Sequence, residues 1–354
     1  MGYKEATLHV LSGTGNSFRV ASWMKEAAAR SGARARLVPI GKEPPPPEEA
    51  GDGRLVGLVF PTHGFTAPWA ALRHAWRLPR GRGAHAVVVP TRAGTKFGPL
   101  FLPGLEGTGG YLVALLLTLK GYSVRGVTAV DMPSNFMIGH PGFSPASARA
   151  IIARGERKAL GFIEPILGGR TRFAGFLSLL LGVVLLPVSL AYALVGRFFF
   201  AKMMFANSSC TGCGLCAESC PFGAIRMWGG ETRRPYWTFS CENCLRCLAW
   251  CPERAVESGH SLGVLLYFAA SIPVSVYTMN WLAGRLALPA AANNLATRLL
   301  LQYPYVLLSL FLTYLLFTAL IRIPLINRLF TYTTLVHYYR RYHEPDTDLD
   351  DLRG

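Results

Sequence analysis

The sequence is constrained most by one cysteine pattern that occurs twice. The spacing C-x2-C-x2-C-x3-C-P occupies residues 210–221 and returns in residues 241–252. The second copy begins 31 residues after the first, and Ala224-Ile225 behind the first copy corresponds to Ala255-Val256 behind the second. All eight cysteines of the chain belong to these two copies. An internal repeat of this kind predicts a small unit with two-fold pseudo-symmetry.

The spacing of the cysteines suits cubane iron–sulfur clusters. Such a cluster needs four thiolates at tetrahedral corners, and one tight loop supplies three of them. In two-cluster ferredoxins the fourth thiolate comes from the other run, which brings the clusters close together. We therefore expect two [4Fe–4S] clusters, with Gly212 and Gly214 letting backbone N–H groups approach the cluster sulfurs. The first set of ligands is Cys210, Cys213, Cys216 and Cys251, and the second set is Cys220, Cys241, Cys244 and Cys247.

Two other uses of cysteine explain the pattern less well. Disulfides are disfavoured because no basic region leads into an apolar stretch with a cleavage site at the N-terminus, so we expect a reducing, cytoplasmic setting. Zinc sites usually take four ligands in two pairs, which leaves the third cysteine and the proline of each run without a role. Trp228, Trp237 and Trp250 lie near the runs and either shield the clusters or simply pack in a small domain.

The first 165 residues alternate between short strands and helices. Residues 54–60 form an almost continuous apolar run, as expected of a strand that is buried on both faces. Strands that alternate with helices predict an α/β fold with a doubly wound parallel sheet covered by helices. The predicted strands are 6–11, 34–40, 54–60, 84–90 and 122–131, and the predicted helices are 17–30 and 111–119.

A loop rich in glycine and hydroxyl groups joins the first strand to the first helix. Backbone N–H groups and hydroxyls at a helix N-terminus suit a phosphate. The loop lacks a Walker lysine and a G-x-G-x-x-G pattern, which disfavours ATP and dinucleotides. It resembles the phosphate loop of flavodoxins, which binds the phosphate of FMN. The residues of this phosphate loop are Ser12, Gly13, Thr14, Gly15, Asn16 and Ser17.

The flavodoxin resemblance implies where an FMN ring would lie. In that fold the flavin sits at the carboxyl ends of the strands. The matching loops are 61–68 and 91–98, and the later loop is basic where flavodoxins usually have an acidic one. Arg92 or Lys96 near the ring would favour anionic reduced flavin. The implied ring-binding residues are Pro61, Thr62, His63, Gly64 and Phe65 in the earlier loop, and Thr91 and Gly94 in the later one.

Up to about residue 260, the chain resembles bacterial flavodoxin–ferredoxin fusion proteins. The cysteine runs carry most of this resemblance, the phosphate loop adds to it, and Ser134-Asn135 resembles the stretch after the last strand in that family. The resemblance implies a flavodoxin-like domain joined to a two-cluster ferredoxin domain. It also implies FMN and two [4Fe–4S] clusters as cofactors.

Three long stretches carry no charge and predict contact with a membrane. Residues 173–195, 261–284 and 299–321 are each long enough to cross ~30 Å of hydrocarbon. A simple crossing by the first stretch would separate the two soluble domains, so we expect Pro187 to break it and the segment to dip into the membrane or lie along it. The other two stretches then form a spanning hairpin, with both soluble domains facing the cytoplasm at the inner membrane.

These boundaries predict five regions. They are a flavodoxin-like domain at 1–165, a membrane-associated segment at 170–205, a ferredoxin domain at 206–258, two transmembrane helices at 259–322, and an interfacial segment with a frayed tail at 323–354. Asn280, Trp281, Gln302 and Tyr303 lie at ends of the apolar stretches, where they either line a quinone pocket or anchor the helices.

The net charge of +16 does not indicate nucleic acid as a partner. Arginine and lysine are scattered or flank apolar segments, and no dense basic patch is interleaved with aromatic side chains. We therefore attribute the excess charge to electrostatic attraction to the membrane and to redox partner proteins.

Together these features predict a membrane-bound oxidoreductase that passes electrons between FMN, two [4Fe–4S] clusters and a membrane or protein partner. The partner is either a ferredoxin-type donor or acceptor, or a quinone. The alternative is a non-enzymatic, membrane-anchored ferredoxin relay whose flavodoxin-like domain docks a partner. A redox sensor is disfavoured because no output module is recognisable. No paired carboxylates and no Ser-His-Asp arrangement point to further catalysis.

Overall fold

The computed structural model describes residues 2–45, 51–270, 272–286 and 295–353, and its N-terminal part is built on a mostly parallel sheet. The strands of this sheet are β1 (Glu5–Val10), β2 (Arg34–Pro39), β3 (Arg54–Pro61), β4 (His85–Phe97), β5 (Leu100–Leu102), β6 (Ser123–Val127), β7 (Val130–Pro133) and β8 (Arg172–Phe173). Their order is β2-β1-β3-β4-β6-β8, while β5 and β7 pair with β4 at the side. The first five places follow the doubly wound order of flavodoxin-like folds, so the predicted fold class is confirmed.

Helices cover both faces of the sheet and exclude water from it. The helices are α1 (Asn16–Arg30), α2 (Trp69–Arg77), α3 (Gly109–Leu119) and α4 (Pro145–Leu167). On one face, Met24 of α1 and Phe162 of α4 belong to one buried core. On the other face, Ala71 of α2 and Leu117 of α3 belong to a second core. The central strand β3 contributes to both cores, which explains its apolar sequence.

Two strands differ from their predicted bounds. The predicted strand 84–90 continues to Phe97, because its second half pairs with β7 on one side and with β5 in a hairpin. The predicted strand 122–131 is divided into β6 and β7, which pair with the first and second halves of β4. Local pattern does not reveal either change, because both arise from pairing between distant segments.

The first long apolar stretch forms a bent helical segment after β8. It contains α5 (Phe176–Val184), α6 (Leu186–Ala191), a π-helical turn (Tyr192–Gly196) and α7 (Arg197–Lys202). The axis of α5 and the axis of Leu186–Lys202 differ by 69°. Pro187 follows the bend directly, and proline cannot donate the backbone hydrogen bond that would continue a straight helix. The expectation that this segment dips into a membrane or lies along it stays a prediction.

The cysteine region forms a small unit with internal symmetry. Its elements are β9 (Met204–Ala206), α8 (Leu215–Glu218), β10 (Ile225–Trp228), β11 (Arg234–Trp237), α9 (Arg246–Ala249) and β12 (Val256–Ser258). The strand β9 pairs with β12 and the strand β10 pairs with β11, both antiparallel. The order strand–helix–strand therefore occurs twice, as the sequence repeat predicts.

The backbone of the two cysteine copies also repeats. Gly214 and Leu245 occupy corresponding positions directly before α8 and α9, and both have left-handed backbones with φ of 90° and 59°. A left-handed conformation is easy for glycine and costs other residues roughly 1–2 kcal/mol. Leu245 has a left-handed backbone although it is not glycine, so the surrounding residues impose the shape of this loop in the second copy.

The C-terminal part of the chain is helical. Its helices are α10 (His260–Ala270), α11 (Ile272–Leu286), α12 (Leu295–Leu320) and α13 (Pro324–Tyr332). By length and composition, the stretches His260–Thr278 and Leu300–Leu320 suffice to cross a membrane, and the bent segment adds a third if it counts as one span.

Candidate functional site

Two cavities in the cysteine unit are lined by sulfur. The four cysteines of the first set line one cavity together with Cys247, and the four of the second set line the other together with Cys216. Cys251 therefore lies at the cavity of the first run, and Cys220 lies at the cavity of the second. This is the exchange that crossed ligation requires. The assignment of each cysteine as a ligand stays a prediction.

The thiols of each set surround a volume and do not meet at a point. Within the described ranges, no group of three or more cysteine, histidine or acidic side chains is placed to hold a single metal ion. A zinc ion needs all its sulfur ligands about 2.3 Å from one centre. The donor arrangement therefore fits a cluster better than it fits zinc.

The electrostatics of the two sets also fit a cationic metal core. Burial raises the pKa of the Cys216 thiol to about 12, and the neighbouring cysteines raise it further. Burial raises the pKa of the Cys244 thiol to about 11, against a lowering by Arg246. Cys247 has a pKa well above its ordinary value, mainly through burial, and the Trp237 side chain acts in the opposite direction. Crowded, buried thiolates need positive charge nearby, which iron supplies when a cluster is bound.

One lysine is buried beside the second set. The side chain of Lys202 is fully buried, and its Nζ donates a 2.6 Å hydrogen bond to the carbonyl oxygen of Trp237. The aromatic rings of Tyr236, Phe239 and Tyr314 lie 4.4–4.7 Å from the same Nζ. The carbonyl oxygen and the ring faces thus hold the cation. Burial lowers the pKa of Lys202 to about 8, and the nearby Cys241 of the second set acts in the opposite direction. Such a charge stabilises added electrons on a cluster bound by the second set.

Replacing Lys202 is therefore expected to lower one cluster potential. A unit charge about 8 Å from another interacts by about 2 kcal/mol at an effective dielectric constant of about 20, so Lys202→Met should shift the midpoint by tens of millivolts. A redox titration followed by electron paramagnetic resonance measures this shift. Lys96→Met serves as the control, because the Lys96 ammonium bonds the carbonyl oxygen of Gly98, lies over the ring of Phe101 and lines neither sulfur cavity. Equal potentials in both variants would contradict the role of Lys202.

Arg246 joins the second set to the rest of the protein. It is 5% exposed, and its guanidinium donates to the carbonyl oxygens of Ser219, Ser12 and Leu352 at 2.9, 2.7 and 3.1 Å. Those three carbonyls belong to the first cysteine run, the phosphate loop and the C-terminal tail. One cation therefore fixes three separate parts of the chain next to Cys244.

The phosphate loop lies directly against the cysteine unit. Trp250 donates from Nε1 to the carbonyl oxygen of Gly13 at 3.0 Å, and the backbone N–H of Lys42 donates to the carbonyl oxygen of Pro221 at 2.8 Å. A Cβ on Gly13 would lie 1.8 Å from the carbonyl oxygen of Cys244. Only glycine permits this approach, which leaves no space for a bilayer between the two units.

The C-terminal tail closes over the phosphate loop. The Tyr342 hydroxyl donates to Oδ1 of Asn16 at 2.7 Å, and the backbone N–H of Glu344 donates to the carbonyl oxygen of Thr14 at 2.7 Å. The ring of His343 stacks on Trp250 with centroids 4.2 Å apart. Leu352 is buried. The sequence predicts a frayed end at 346–354, and that prediction is wrong at Leu352, whose side chain is buried and whose carbonyl oxygen accepts from Arg246.

A cavity of about 800 Å³ lies where the sheet, the cysteine unit and the helical run Leu186–Lys202 meet. We call it the junction cavity. It opens at the carboxyl end of β3 and at Thr91, where the pairing of β4 with β3 ends, and this is the edge of the sheet where ligands bind in doubly wound folds. The predicted FMN residues that line it are Asn16, Pro61, Thr62, His63, Gly64, Phe65 and Thr91. Those outside its lining are Ser12, Gly13, Thr14, Gly15, Ser17 and Gly94.

The helical run forms a wall of this cavity that the sequence did not predict. Ser189 donates from its hydroxyl to the carbonyl oxygen of Gly64 at 2.8 Å, and the Tyr192 hydroxyl lies 3.3 Å from Nδ1 of His63. Asn243, next to Cys244, donates from Nδ2 to the carbonyl oxygen of Arg197 at 2.9 Å. The wall is therefore fixed both to the sheet loops and to the second cysteine run.

The cavity fits a planar ring better than it fits the phosphate of FMN. Two loops of the sheet offer backbone and side chains to a ring, whereas only Asn16 of the phosphate loop reaches the cavity. The Thr14 hydroxyl accepts from Nδ2 of Asn135 at 2.8 Å, and the Ser17 hydroxyl lies 2.8 Å from that of Thr91. The Ser17–Thr91 hydrogen bond would compete with an FMN phosphate for these hydroxyls, whereas the Thr14 hydroxyl accepts from Asn135 and keeps its own proton to donate.

The basic stretch that the sequence predicts as a loop at 91–98 continues β4 up to Phe97, because it pairs with β7 and β5. It does not present a free cation to the cavity. Arg92 lines the cavity, but it forms ion pairs with Asp131, 2.7 Å from Nε, and with Glu106. These two carboxylates hold the pKa of Arg92 above its ordinary value, although burial acts in the opposite direction. Lys96 is not part of the lining. The carboxylates of Asp131 and Glu106 already balance the charge of Arg92. The expected stabilisation of anionic reduced flavin by Arg92 or Lys96 is therefore not available in the cavity.

Comparison with known proteins supports the iron–sulfur assignment. The 4Fe-4S binding domain family matches residues 205–226, which contain the first cysteine run. No curated protein matches the chain. Among solved structures, the chain is similar to the rubredoxin oxygen:oxidoreductase of the anaerobe Desulfovibrio gigas, with 12% sequence identity and a TM-score of 0.26. That match covers 45% of this chain and 37% of the other, so the chain spans little more than a third of its length.

Fold and site together define a class of protein. The sheet order is flavodoxin-like, the cysteine unit contains a 4Fe-4S binding domain, and two helical stretches have the length and composition of membrane spans. The chain therefore combines a flavodoxin-like sheet with a 4Fe-4S binding domain at residues 205–226.

Proposed function

We propose that this protein carries single electrons between a redox ring in the junction cavity and two [4Fe–4S] clusters. The observation that carries the proposal is that Cys244 lines the cavity together with His63 and Thr91 of the sheet loops. A ring in the cavity would thus contact a ligand of the second cluster. In the proposal, the first set and the second set each hold one cluster, and the crossed positions of Cys220 and Cys251 place the clusters side by side.

We further propose FMN as the ring at the sheet end of the cavity. The support is the sequence of the phosphate loop and the position of residues 61–65 at the carboxyl end of β3, with Thr91 of β4 beside them. Flavin, when bound, exchanges electrons in pairs or singly and so links two-electron partners to one-electron clusters. The resemblance to flavodoxin–ferredoxin fusion proteins agrees with this pairing of domains.

The proposed location is the cytoplasmic membrane, with both soluble units on the cytoplasmic side. The support is that the sheet and the cysteine unit touch at Gly13 and Pro221, whereas a bilayer is about 40 Å thick. His260–Thr278 and Leu300–Leu320 then form the spanning hairpin.

A topology reporter tests this orientation. A reporter inserted after Glu231, in the cysteine unit, is expected to report the cytoplasm. One inserted after Arg285, at the end of α11, is expected to report the opposite side. A periplasmic result at Glu231 would contradict the proposal, because it would place the cysteine unit across the membrane from the sheet.

The cofactor content of the full chain tests the proposed function. We expect anaerobic extraction in detergent to yield about eight irons per chain, as two cubanes require, with matching acid-labile sulfide and about one FMN. Absence of iron, or zinc in its place, would overturn the electron-transfer proposal.

A specific observation favours a second candidate. The hydroxyls of Thr14 and Ser17 already have protein partners, and the tail covers the loop at Glu344. This suits a membrane-anchored ferredoxin relay whose flavodoxin-like domain only docks a partner. About eight irons with no flavin, even after added FMN, would favour this candidate over the flavoprotein.

A further inference from the structure

The junction cavity has two chemically different ends. The sheet end is polar and is lined by Asn16, Thr62 and Thr91 among others. The other end is apolar and comes from the helical run and from α10. Its lining side chains include Val188, Ala191, Val195, Phe199 and Tyr267. Ligand pockets usually measure about 300–1,000 Å³, so a cavity of about 800 Å³ is large for a single ring.

The apolar end is formed by segments that a bilayer would surround. Tyr267 lies in the candidate span His260–Thr278 and is 61% exposed. Val188 lies in the bent segment and is also exposed. A hydrophobic molecule dissolved in lipid would therefore meet this end of the cavity first.

The same cavity offers groups that suit a quinone head. Burial lowers the pKa of His63 to about 4, so the imidazole is neutral at pH 7. When the Tyr192 hydroxyl donates to Nδ1, the imidazole carries its proton on Nε2, where it is a donor for a carbonyl oxygen. Cys244 and Leu245 bring the second cysteine run to the same space. A ring here lies between a hydrogen-bond donor and a cluster ligand.

We propose that a lipophilic benzoquinone or naphthoquinone enters the apolar end of the junction cavity and exchanges electrons with the clusters there. This inference rests on the proposed electron-transfer function. In the reducing direction, the quinone takes up one electron from each of two reduced clusters and two protons from water, and leaves as quinol. A soluble ferredoxin-type carrier is the source of the two electrons. FMN, where present, takes the sheet end of the cavity.

Single-residue variants of the full chain test the proposal. Val195→Trp fills the apolar end, whereas Leu194→Trp places the same side chain on the outer face of the same turn, where Leu194 is 53% exposed. We would reduce the clusters with dithionite in lipid nanodiscs, remove the excess, and follow their reoxidation by decylubiquinone in a stopped-flow instrument. The expected result is saturable reoxidation that Val195→Trp slows at least tenfold and Leu194→Trp leaves unchanged. Equal rates in the two variants, or a rate that never saturates, would overturn the proposal.

A second measurement serves if Val195→Trp loses iron. An azidoquinone photolabel on the unaltered protein is expected to mark residues of 188–200 or Tyr267, and labelling confined to other segments would overturn the proposal. Iron content is measured first, because it separates a failure of the proposed function from a failure of the quinone inference. A chain without iron contradicts the proposed function itself. A chain with reducible clusters that decylubiquinone does not reoxidise contradicts only the quinone inference.

Discussion

Removing the first and fourth cysteines of one run should remove both clusters, whereas removing the fourth cysteine of that run together with the first cysteine of the other run should leave one cluster intact. Cys210→Ala with Cys220→Ala takes one ligand from each set and is expected to leave almost no iron. Cys220→Ala with Cys241→Ala takes both ligands from the second set and is expected to leave about four irons per chain. The reason is that Cys220 lines the cavity of the second run and Cys251 lines that of the first.

Iron and sulfide analysis of the two double variants provides the measurement. The single variant Cys241→Ala is the control, because it shows that the cluster of the first set survives alone with about four irons. The reverse pattern, with iron retained by the same-run pair and lost from the other pair, would show that each run holds its own cluster. Alanine is preferred to serine because a serine oxygen can replace the thiolate.

Gly13→Ala should separate the phosphate loop from the second cysteine run. A Cβ at this position would lie 1.8 Å from the carbonyl oxygen of Cys244, so one of the two backbones has to move. Forcing extra atoms into a packed site costs typically about 1–3 kcal/mol. We expect a lower unfolding temperature and at least tenfold faster loss of iron to a chelator, because Cys244 and Arg246 lose their position.

Gly161→Ala is the matched control for this experiment. Gly161 lies within α4, and no atom lies within 4 Å of a Cβ built there. Alanine in a helix interior is favoured over glycine by roughly 0.5–1 kcal/mol, so this variant should be as stable as the original chain or slightly more stable. If Gly13→Ala kept its iron as well as Gly161→Ala, the close contact between loop and cluster run would have no energetic importance.

The sequence predicts those parts of this fold that depend on local pattern. The apolar run of β3 and the helical spacing of α1 are short-range signals, and the cysteine spacing reflects a fixed cofactor geometry. The predicted bounds of the strand at 122–131 are less accurate, because its division into β6 and β7 depends on which half of β4 each part pairs with. Pairing across many residues has no signature within a short window.

The site was predicted in part for the same reason. Ligand-binding positions near strand ends follow from the fold class, so the sequence predicts Thr62, His63 and Thr91. The sequence does not predict the wall from Ser189 to Phe200, because an apolar helical run indicates a membrane segment whether or not it also closes a cavity. A lysine within an aromatic stretch at Phe198–Lys202, and an arginine inside the second cysteine run at Arg246, are the signals that could have indicated buried cations.

The tail shows a further limit of sequence pattern. The acidic composition of its last residues predicts a solvated end, yet Glu344 and Leu352 are buried against the phosphate loop and Arg246. Hydrogen bonds from Tyr342 and to Thr14 hold it there. Contacts between distant residues decide this packing, such as Tyr342 with Asn16, 326 positions apart, and Arg246 with Leu352, 106 positions apart, and composition alone does not report them.

Electron paramagnetic resonance of the fully reduced, full-length protein tests the central claim most directly. If two [4Fe–4S] clusters lie side by side on crossed ligands, the spectrum should change shape between partial and full reduction, because two neighbouring spins interact magnetically. The integrated intensity should approach two spins per chain. A single unchanging signal of one spin per chain, or no signal from a protein that holds zinc, would contradict the account.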